Sequence, residues 1–271
     1  MSKYLKKVIN FNSFLVFEKA STYTAISILE KTNREDFNYY TFIDEEMKFL
    51  KKIKNEDFAR NSLAFKEKDG KTIEDLYNVQ YALTTLADKV FISKDIKEID
   101  GFYLFNNYKI EKDIIKPIIK GSTLEELYII FPYKKDDGRI VPYKEEELKS
   151  KYPLAYKYFL DKKDLLLNRS IEKNKNWYEY GRSQGLQNIL NKKIAISHIV
   201  KDKISYKEVD EDTLVYSGLF ATLKDNKKDF KELEDKLNSD EFLKHIKYAG
   251  KDLRGGYKSI KAAHIKSIKI N

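Results

Sequence analysis

The sequence predicts a mixed α+β fold, and three stretches near its centre carry that prediction. Tyr128 to Tyr133 (YIIFPY) is an apolar run closed by Pro132, which reads as a short buried strand ending in a turn. The next segment, YKEEELKSKYPLAYKYFLDKKDLLLNR, places Leu148, Tyr152, Ala155, Tyr156, Phe159 and Leu160 at three- and four-residue steps, the spacing of a helix. Lys192 to Val200 (KKIAISHIV) is rich in β-branched residues and predicts a further strand. No internal repeat or low-complexity segment interrupts this order.

The remaining elements follow in chain order. Residues 12–43 hold two apolar runs separated by KTNRED, which predict two strands, a hairpin with its loop at Thr32 to Asp36. Glu45 to Phe58 carries Met47, Leu50 and Ile53 at helical steps and predicts a short connecting helix. Ile73 to Ile92 predicts a helix with Thr72 as N-cap and two acids in its first turn, continuing to about Ala87 before a strand KVFIS. FYLFNNYKIEKDIIKPIIKGS predicts a strand pair, then a short piece stopped near Pro117. Asp136-Asp137-Gly138 is a hairpin turn signal, and Pro153 kinks or divides the central helix. EDTLVYSGLFATLK predicts a strand pair turning near Ser217-Gly218. Phe230, Leu233, Leu237, Phe242, Leu243 and Ile246 give the best helical signal, broken at Asn238-Ser239-Asp240 where a second helix is capped. The chain closes with a Gly255-Gly256 loop and a last strand.

Composition narrows the function classes. With 271 residues, 42% of them hydrophobic, and only 10 Gly and 4 Pro, the chain can bury a proper core. It has no cysteine, which excludes a disulfide framework or a thiolate metal site. Neither a signal peptide nor a membrane-length apolar run is evident, so a cytoplasmic protein that does not enter the membrane is expected. The net charge of +9 is unevenly spread: +5 over residues 161–203, −4 over 204–240 and +6 over 241–271. A basic C-terminal third fits a nucleic-acid footprint, and it equally fits solvated lysine faces. Twenty Tyr and sixteen Phe add planar side chains that can stack on bases, although most are expected in the core.

FPY, KYPLAYKYFLDKKDLLLNR, WYEYGRSQ and KIAIS, in that order, resemble the TaqI-like C-terminal specificity domain. That domain is the target-recognition part of adenine-specific DNA methyltransferases in restriction–modification systems. FEKASTYTAISILEK is similar to the last strands of the methyltransferase catalytic domain, and ADKVFI and IEKDIIKPIIKG to segments at the entrance to the recognition domain. The resemblance implies a catalytic-domain remnant and linker helix over residues 1–58 and a DNA target-recognition domain over 59–271, with double-stranded DNA as partner. An ordinary N-terminal hairpin is the alternative for the first part. Enzymes of this family hold S-adenosylmethionine on a Gly-rich turn and the target adenine on Asn/Asp-Pro-Pro-Tyr/Phe. This chain has no Gly-x-Gly and no adjacent prolines. The resemblance therefore implies no methylation by this chain alone, no catalytic residue in it, and S-adenosylmethionine only on a missing or separate catalytic chain.

Trp177, Tyr178, Tyr180, Arg182, Ser183 and Gln184 are the first DNA-binding candidates, combining a stacking platform, a bidentate donor for guanine and an amide able to read adenine. The alternative puts Trp177 in the core and Arg182 on a carboxylate. Lys251, Arg254, Gly255, Gly256, Tyr257 and Lys258 form a second candidate, a basic loop whose glycines let backbone N–H groups approach phosphate. An ordinary solvated turn is its alternative. Lys192 and Lys193 are candidate phosphate contacts. Two other functions stay open: a non-catalytic interaction scaffold of a restriction system, and a restriction endonuclease component. For the latter, Asp137 followed by Glu147-Leu148-Lys149, or Glu234-Asp235-Lys236, spells a nuclease pattern, but on helix faces and in a chain 35% charged. No metal site is assigned, because His198, His245 and His264 lack ligand spacing.

Overall fold

The computed structural model describes residues 2–11, 14, 16–17, 24–43, 46–55, 70–225 and 228–270. Mixed sheets and short helices make an α+β fold. The first 55 residues build one four-stranded sheet from β1 (Leu5–Asn10), β2 (Ala25–Leu29), β3 (Asp36–Ile43) and β4 (Glu46–Lys54). Its order is β2-β1-β3-β4, with β1 antiparallel to β2 and parallel to β3. The expected hairpin over 12–43 is therefore corrected: β1 lies between its two strands, and much of the first run (12–13, 15 and 18–23) falls outside the described residues. The expected connecting helix is also corrected, since 46–54 is strand. Met47 and Phe49 pair with Phe42 and Tyr40, a bulge skips Leu50, and Ile53 then joins Leu5, Val8 and Phe37 in a small core. A bulge in a period-two pattern produces the same three-residue steps as a helix.

A third correction concerns residues 73–93. Helix α1 (Ile73–Leu76) starts where expected, with Thr72 N–H donating to Asp75 Oδ2 at 2.7 Å, but it lasts one turn. The chain then enters β5 (Tyr77–Tyr81), because Tyr77 and Val79 alternate into a core that a helix would not reach in step. Lys89–Phe91, expected as strand, belongs to α2 (Asp88–Phe91), and only β6 (Ile92–Ser93) is extended. A meander of β7 (Ile96–Ile99), β8 (Phe102–Phe105) and β9 (Tyr108–Ile110) follows. Pro117 does not stop its element. It sits inside β10 (Ile115–Lys120), before the pairing with a parallel neighbour begins at Ile118, where a missing N–H costs little.

Hairpin partner β11 (Glu125–Ile130) leads to β12 (Tyr133–Asp136) and β13 (Arg139–Pro142), joined as expected by Asp137-Gly138, both at positive φ. The central helix is divided at Pro153 into α3 (Glu145–Lys151) and α4 (Pro153–Asp161), and α5 (Lys163–Leu167) completes it. Beyond it run β14 (Lys193–Ile196), β15 (Ile199–Val200), β16 (Tyr206–Val209), β17 (Leu214–Tyr216) and β18 (Leu219–Leu223). The strands β17 and β18 were expected to pair with each other. Instead β17 joins β10 and β18 joins β14 and β5, so the Ser217-Gly218 turn passes the chain between sheets. Gly121 and Gly218 make this possible: a Cβ on Gly121 would lie 2.7 Å from Gly218 Cα.

Next come α6 (Lys231–Leu237) and α7 (Asp240–Ala249), the latter capped by Ser239 as expected, its hydroxyl accepting from Phe242 N–H. The tail holds β19 (Lys251–Asp252), β20 (Lys258–Ser259) and α8 (Ala262–Lys266), so the expected last strand reduces to an isolated Lys269–Thr72 bridge after a helix. The sheet β16-β14-β18-β5 separates two large cores. Ala195 and Phe220 fill one, with Phe91, Tyr158, Phe159 and Tyr180; Ile194, Ile196, Leu219 and Ala221 fill the other, with Phe230, Leu233 and Ile265.

Candidate nucleic-acid interface

The irregular segment from Asn168 to Gly185 is built around one guanidinium. Arg169 donates from Nε to Leu166 O (2.9 Å), from Nη1 to Thr85 O (2.8 Å) and Glu179 O (3.0 Å), and from Nη2 to Trp177 O (2.6 Å). Its carbon lies 5.3 Å from the Phe91 ring centroid, and burial pulls its pKa below the ordinary arginine value. Four carbonyls from three parts of the chain are thereby satisfied by a single residue, which a helix or strand would otherwise have done. Nothing in the periodicity singles out Arg169, and sequence reasoning missed it.

Downstream of this clamp the aromatic residues turn inward. Tyr178 and Tyr180 are fully buried; Tyr178 donates its hydroxyl to Tyr143 O (2.8 Å) and Tyr180 to Ile130 O (2.7 Å). Tyr133 hydroxyl accepts from Tyr180 N–H at 2.8 Å. Burial pushes the Tyr178 hydroxyl up to about 12 and that of Tyr180 well above its ordinary value. Both tyrosines were DNA-stacking candidates, and their place is the core: neither ring has a face to offer a base. Trp177 is half-buried, donating from Nε1 to Glu145 Oε1 (3.2 Å), with Lys163 Nζ 4.9 Å from its ring centroid.

Arg182, Ser183 and Gln184 lie at the surface beside Thr84. Arg182 pairs through its backbone with Thr84 in an isolated bridge, and its Nη1 donates to Ser170 O (2.7 Å) and Gly181 O (3.1 Å). The carboxylate expected as its alternative partner is replaced by carbonyls. Glu172 instead accepts from Ser183 N–H at 2.9 Å. Gln184 donates from Nε2 to Ala82 O (3.1 Å) and Thr84 Oγ1 (2.9 Å). The Ala82 carbonyl can only accept, which fixes the amide orientation and leaves Oε1 available as an acceptor.

The second candidate is the β19–β20 turn. Gly255 and Gly256 have φ of 75° and 77°, and Leu253 N–H donates to Tyr257 O at 2.8 Å. Arg254 and Lys251 are exposed and make no side-chain polar contact among the described residues; Lys258 is engaged by Asp252 at 2.6 Å. Pairing of β15 with β20 brings a residue that sequence reasoning missed: Lys201 Nζ lies 5.6 Å from the exposed Tyr257 ring. Its only sequence signal is the Lys-Asp-Lys between two apolar runs. Elsewhere, exposed Lys192 pairs with Glu208 (3.3 Å). Lys193 is corrected: it is fully buried, donating to Asp210 O (2.7 Å) and Thr213 O (2.8 Å), with burial pulling its pKa down to about 8. It reaches no phosphate.

The nuclease spellings are not assembled. Both Glu147 oxygens accept from Lys134 Nζ at 2.8 Å, which lowers the carboxyl pKa, and Glu234 lies on α6. Among the described residues no three His, Cys, Asp or Glu side chains group as a metal site, and no helix is long and apolar enough to cross a membrane. His245 and His264 are half-buried with ring centroids 6.0 Å apart.

No protein-family model matches the chain. It is 29% identical over 265 residues to the type II restriction enzyme and methyltransferase RM.Eco57I of Escherichia coli, covering 80% of this chain. The match spans about a quarter of that protein's length (26%). In fold it is similar to the type IIL restriction-modification enzyme MmeI, solved in complex with DNA, with a TM-score of 0.55 and 11% identity. That superposition covers 97% of this chain and 35% of the other. The chain is thus homologous to part of a restriction-modification enzyme.

Proposed function

We propose that this chain is the DNA target-recognition region of an adenine-specific restriction–modification methyltransferase, of the TaqI-like kind, acting in the cytoplasm. The observation that supports this most is a conjunction. A sequence related to a combined restriction enzyme and methyltransferase over 80% of its length lacks both the Gly-x-Gly turn and the Pro-Pro pair that methylation needs. In this reading S-adenosylmethionine and the flipped adenine belong to a catalytic part, on the same polypeptide or a separate chain. Residues 1–58 are the end of that part and 59–271 read DNA. Arg182, Ser183 and Gln184 face base edges; Lys201, Lys251, Arg254 and Tyr257, with the Gly255-Gly256 backbone, meet the phosphates; Lys192 and Trp177 stand at the margin.

Duplex-DNA binding across a salt series tests it. Phosphate contacts release counterions, so log K should fall linearly with log salt, by about 0.9 per phosphate neutralised. Arg182→Ala should flatten preference among duplex sequences, whereas Arg254→Ala should weaken all of them alike. Salt-independent or absent binding would reject DNA reading and leave the interaction-scaffold function.

A further inference from the structure

Leu86 is an exposed leucine mounted in a conformation that leucine disfavours. Its φ is 56°, in the left-handed region, and 41% of the residue is open to solvent. A left-handed leucine buried for packing would have its strain repaid by contacts; one this exposed is held by its neighbours instead. The flanking backbone shows how. Thr84 O accepts from Arg182 N–H (3.2 Å), and Thr85 O accepts from Arg169 Nη1 (2.8 Å) and Gly181 N–H (3.0 Å). Ala87 N–H donates to Thr85 Oγ1 (3.0 Å), whose hydroxyl donates to Asp88. Ala87 O then receives Val90 N–H (2.8 Å), so every peptide around Leu86 is fixed.

The site under and beside the side chain is shaped to it. A Cβ on Gly181 would lie 2.5 Å from Leu86 Cγ and Cδ1, so only glycine lets the leucine lie there. On its other side is an open groove of about 570 Å³, also lined by Leu165, which is 60% exposed, and by Ser217, a second non-glycine residue at positive φ (51°). Polar groups able to read bases stand next to it: Arg182 is bridged to Thr84, and Gln184 is bonded to Thr84 with its Oε1 open.

A rigidly held apolar side chain beside base-reading polar groups is what is needed to part a base step. Water leaves it at no cost in hydrogen bonds, and because the backbone mount is already fixed, only side-chain rotamer freedom is lost on entry. We infer that Leu86 is a wedge that enters the base stack next to the pairs faced by Arg182 and Gln184. The inference rests on the DNA-recognition reading above and adds a deformation to it. A step so parted is kinked, and its sequence is selected by how easily it unstacks, flexible pyrimidine–purine steps above all.

The test uses the full chain and a duplex it selects from a random pool, with 2-aminopurine placed at each position in turn. Wild type should raise the fluorescence several-fold at one step. Leu86→Ala should abolish that rise and weaken binding about tenfold. Leu86→Gly, which accepts the left-handed backbone freely, should lose the rise while unfolding at the same or higher denaturant concentration. A rise unchanged in Leu86→Ala overturns the wedge and leaves DNA recognition standing. A Leu86→Gly variant that unfolds markedly earlier assigns the leucine to packing instead. Failure of wild type to bind any duplex, at any salt concentration, sinks both.

Discussion

Two stretches with nearly the same chemistry have opposite fates in this molecule. Trp177 to Gln184 and Lys251 to Lys258 each combine at least one aromatic ring with an arginine, glycine and neighbouring charge. In the first, Arg169 gathers the backbone carbonyls, Tyr178 and Tyr180 go to full burial, and Arg182, Ser183 and Gln184 reach the surface with the half-buried Trp177. In the second, Asp252, Leu253 and Lys258 are half-buried, Asp252 and Lys258 satisfying each other, and Arg254 and Tyr257 stay open. What separates them is a donor from outside the stretch that satisfies its main chain. A loop with such a donor can bury its side chains; a loop without one must keep its peptides in water.

The largest expected effect breaks the first stretch. Tyr180→Ala should cost about 3–5 kcal/mol in denaturant unfolding, since it empties a site packed by Phe91, Phe131 and Tyr133. A loss under 1 kcal/mol would mean that ring is not core. Arg169→Met should follow at about 3 kcal/mol, because several carbonyls lose their donor at once. Amide hydrogen exchange in that variant would also show whether Thr85 and Trp177 loosen together.

Lys192 and Lys193 sharpen the same contrast at adjacent positions, one in solvent and one buried. The Lys193 pKa is about 8 folded against 10.5 in the open chain, so between these values the unfolded state binds more protons. Stability should therefore rise as pH goes from 8 towards 10, by up to roughly 3 kcal/mol in total, and the cost is fully present below pH 8. Lys193→Met should remove that slope, and Lys192→Met should keep it. Smallest in stability is Arg254→Ala, expected within about 0.5 kcal/mol of wild type. Its effect should appear only in DNA binding, as a salt slope lower by about 1.

Much of the architecture was legible where pattern and punctuation agree. Asp137-Gly138 set a hairpin, Pro153 divided a helix and Ser239 capped another, each by a local rule. The misreadings have two causes, a partner distant in sequence and a local irregularity within a strand. Tyr77 to Tyr81 fits a helix until β18 pairs with it, 138 residues further on at Tyr81↔Leu219, and Met47 to Ile53 fits one until a bulge resets its alternation. The candidate interface was legible as composition. Which of its members face outward was not, because that depends on Arg169, whose four carbonyl partners leave no periodic trace, and on the β15–β20 pairing that delivers Lys201.

The strand β14 has a consequence for how any duplex would be gripped. Its alternate side chains are locked into two cores, so a slip by one residue would exchange the contents of both. The polar patch ending at Gln184 precedes this strand and the Lys201 loop follows it within a few residues. On the DNA-recognition reading proposed above, this locked register would hold the two patches in a constant relation, and a duplex touching both would have to match it.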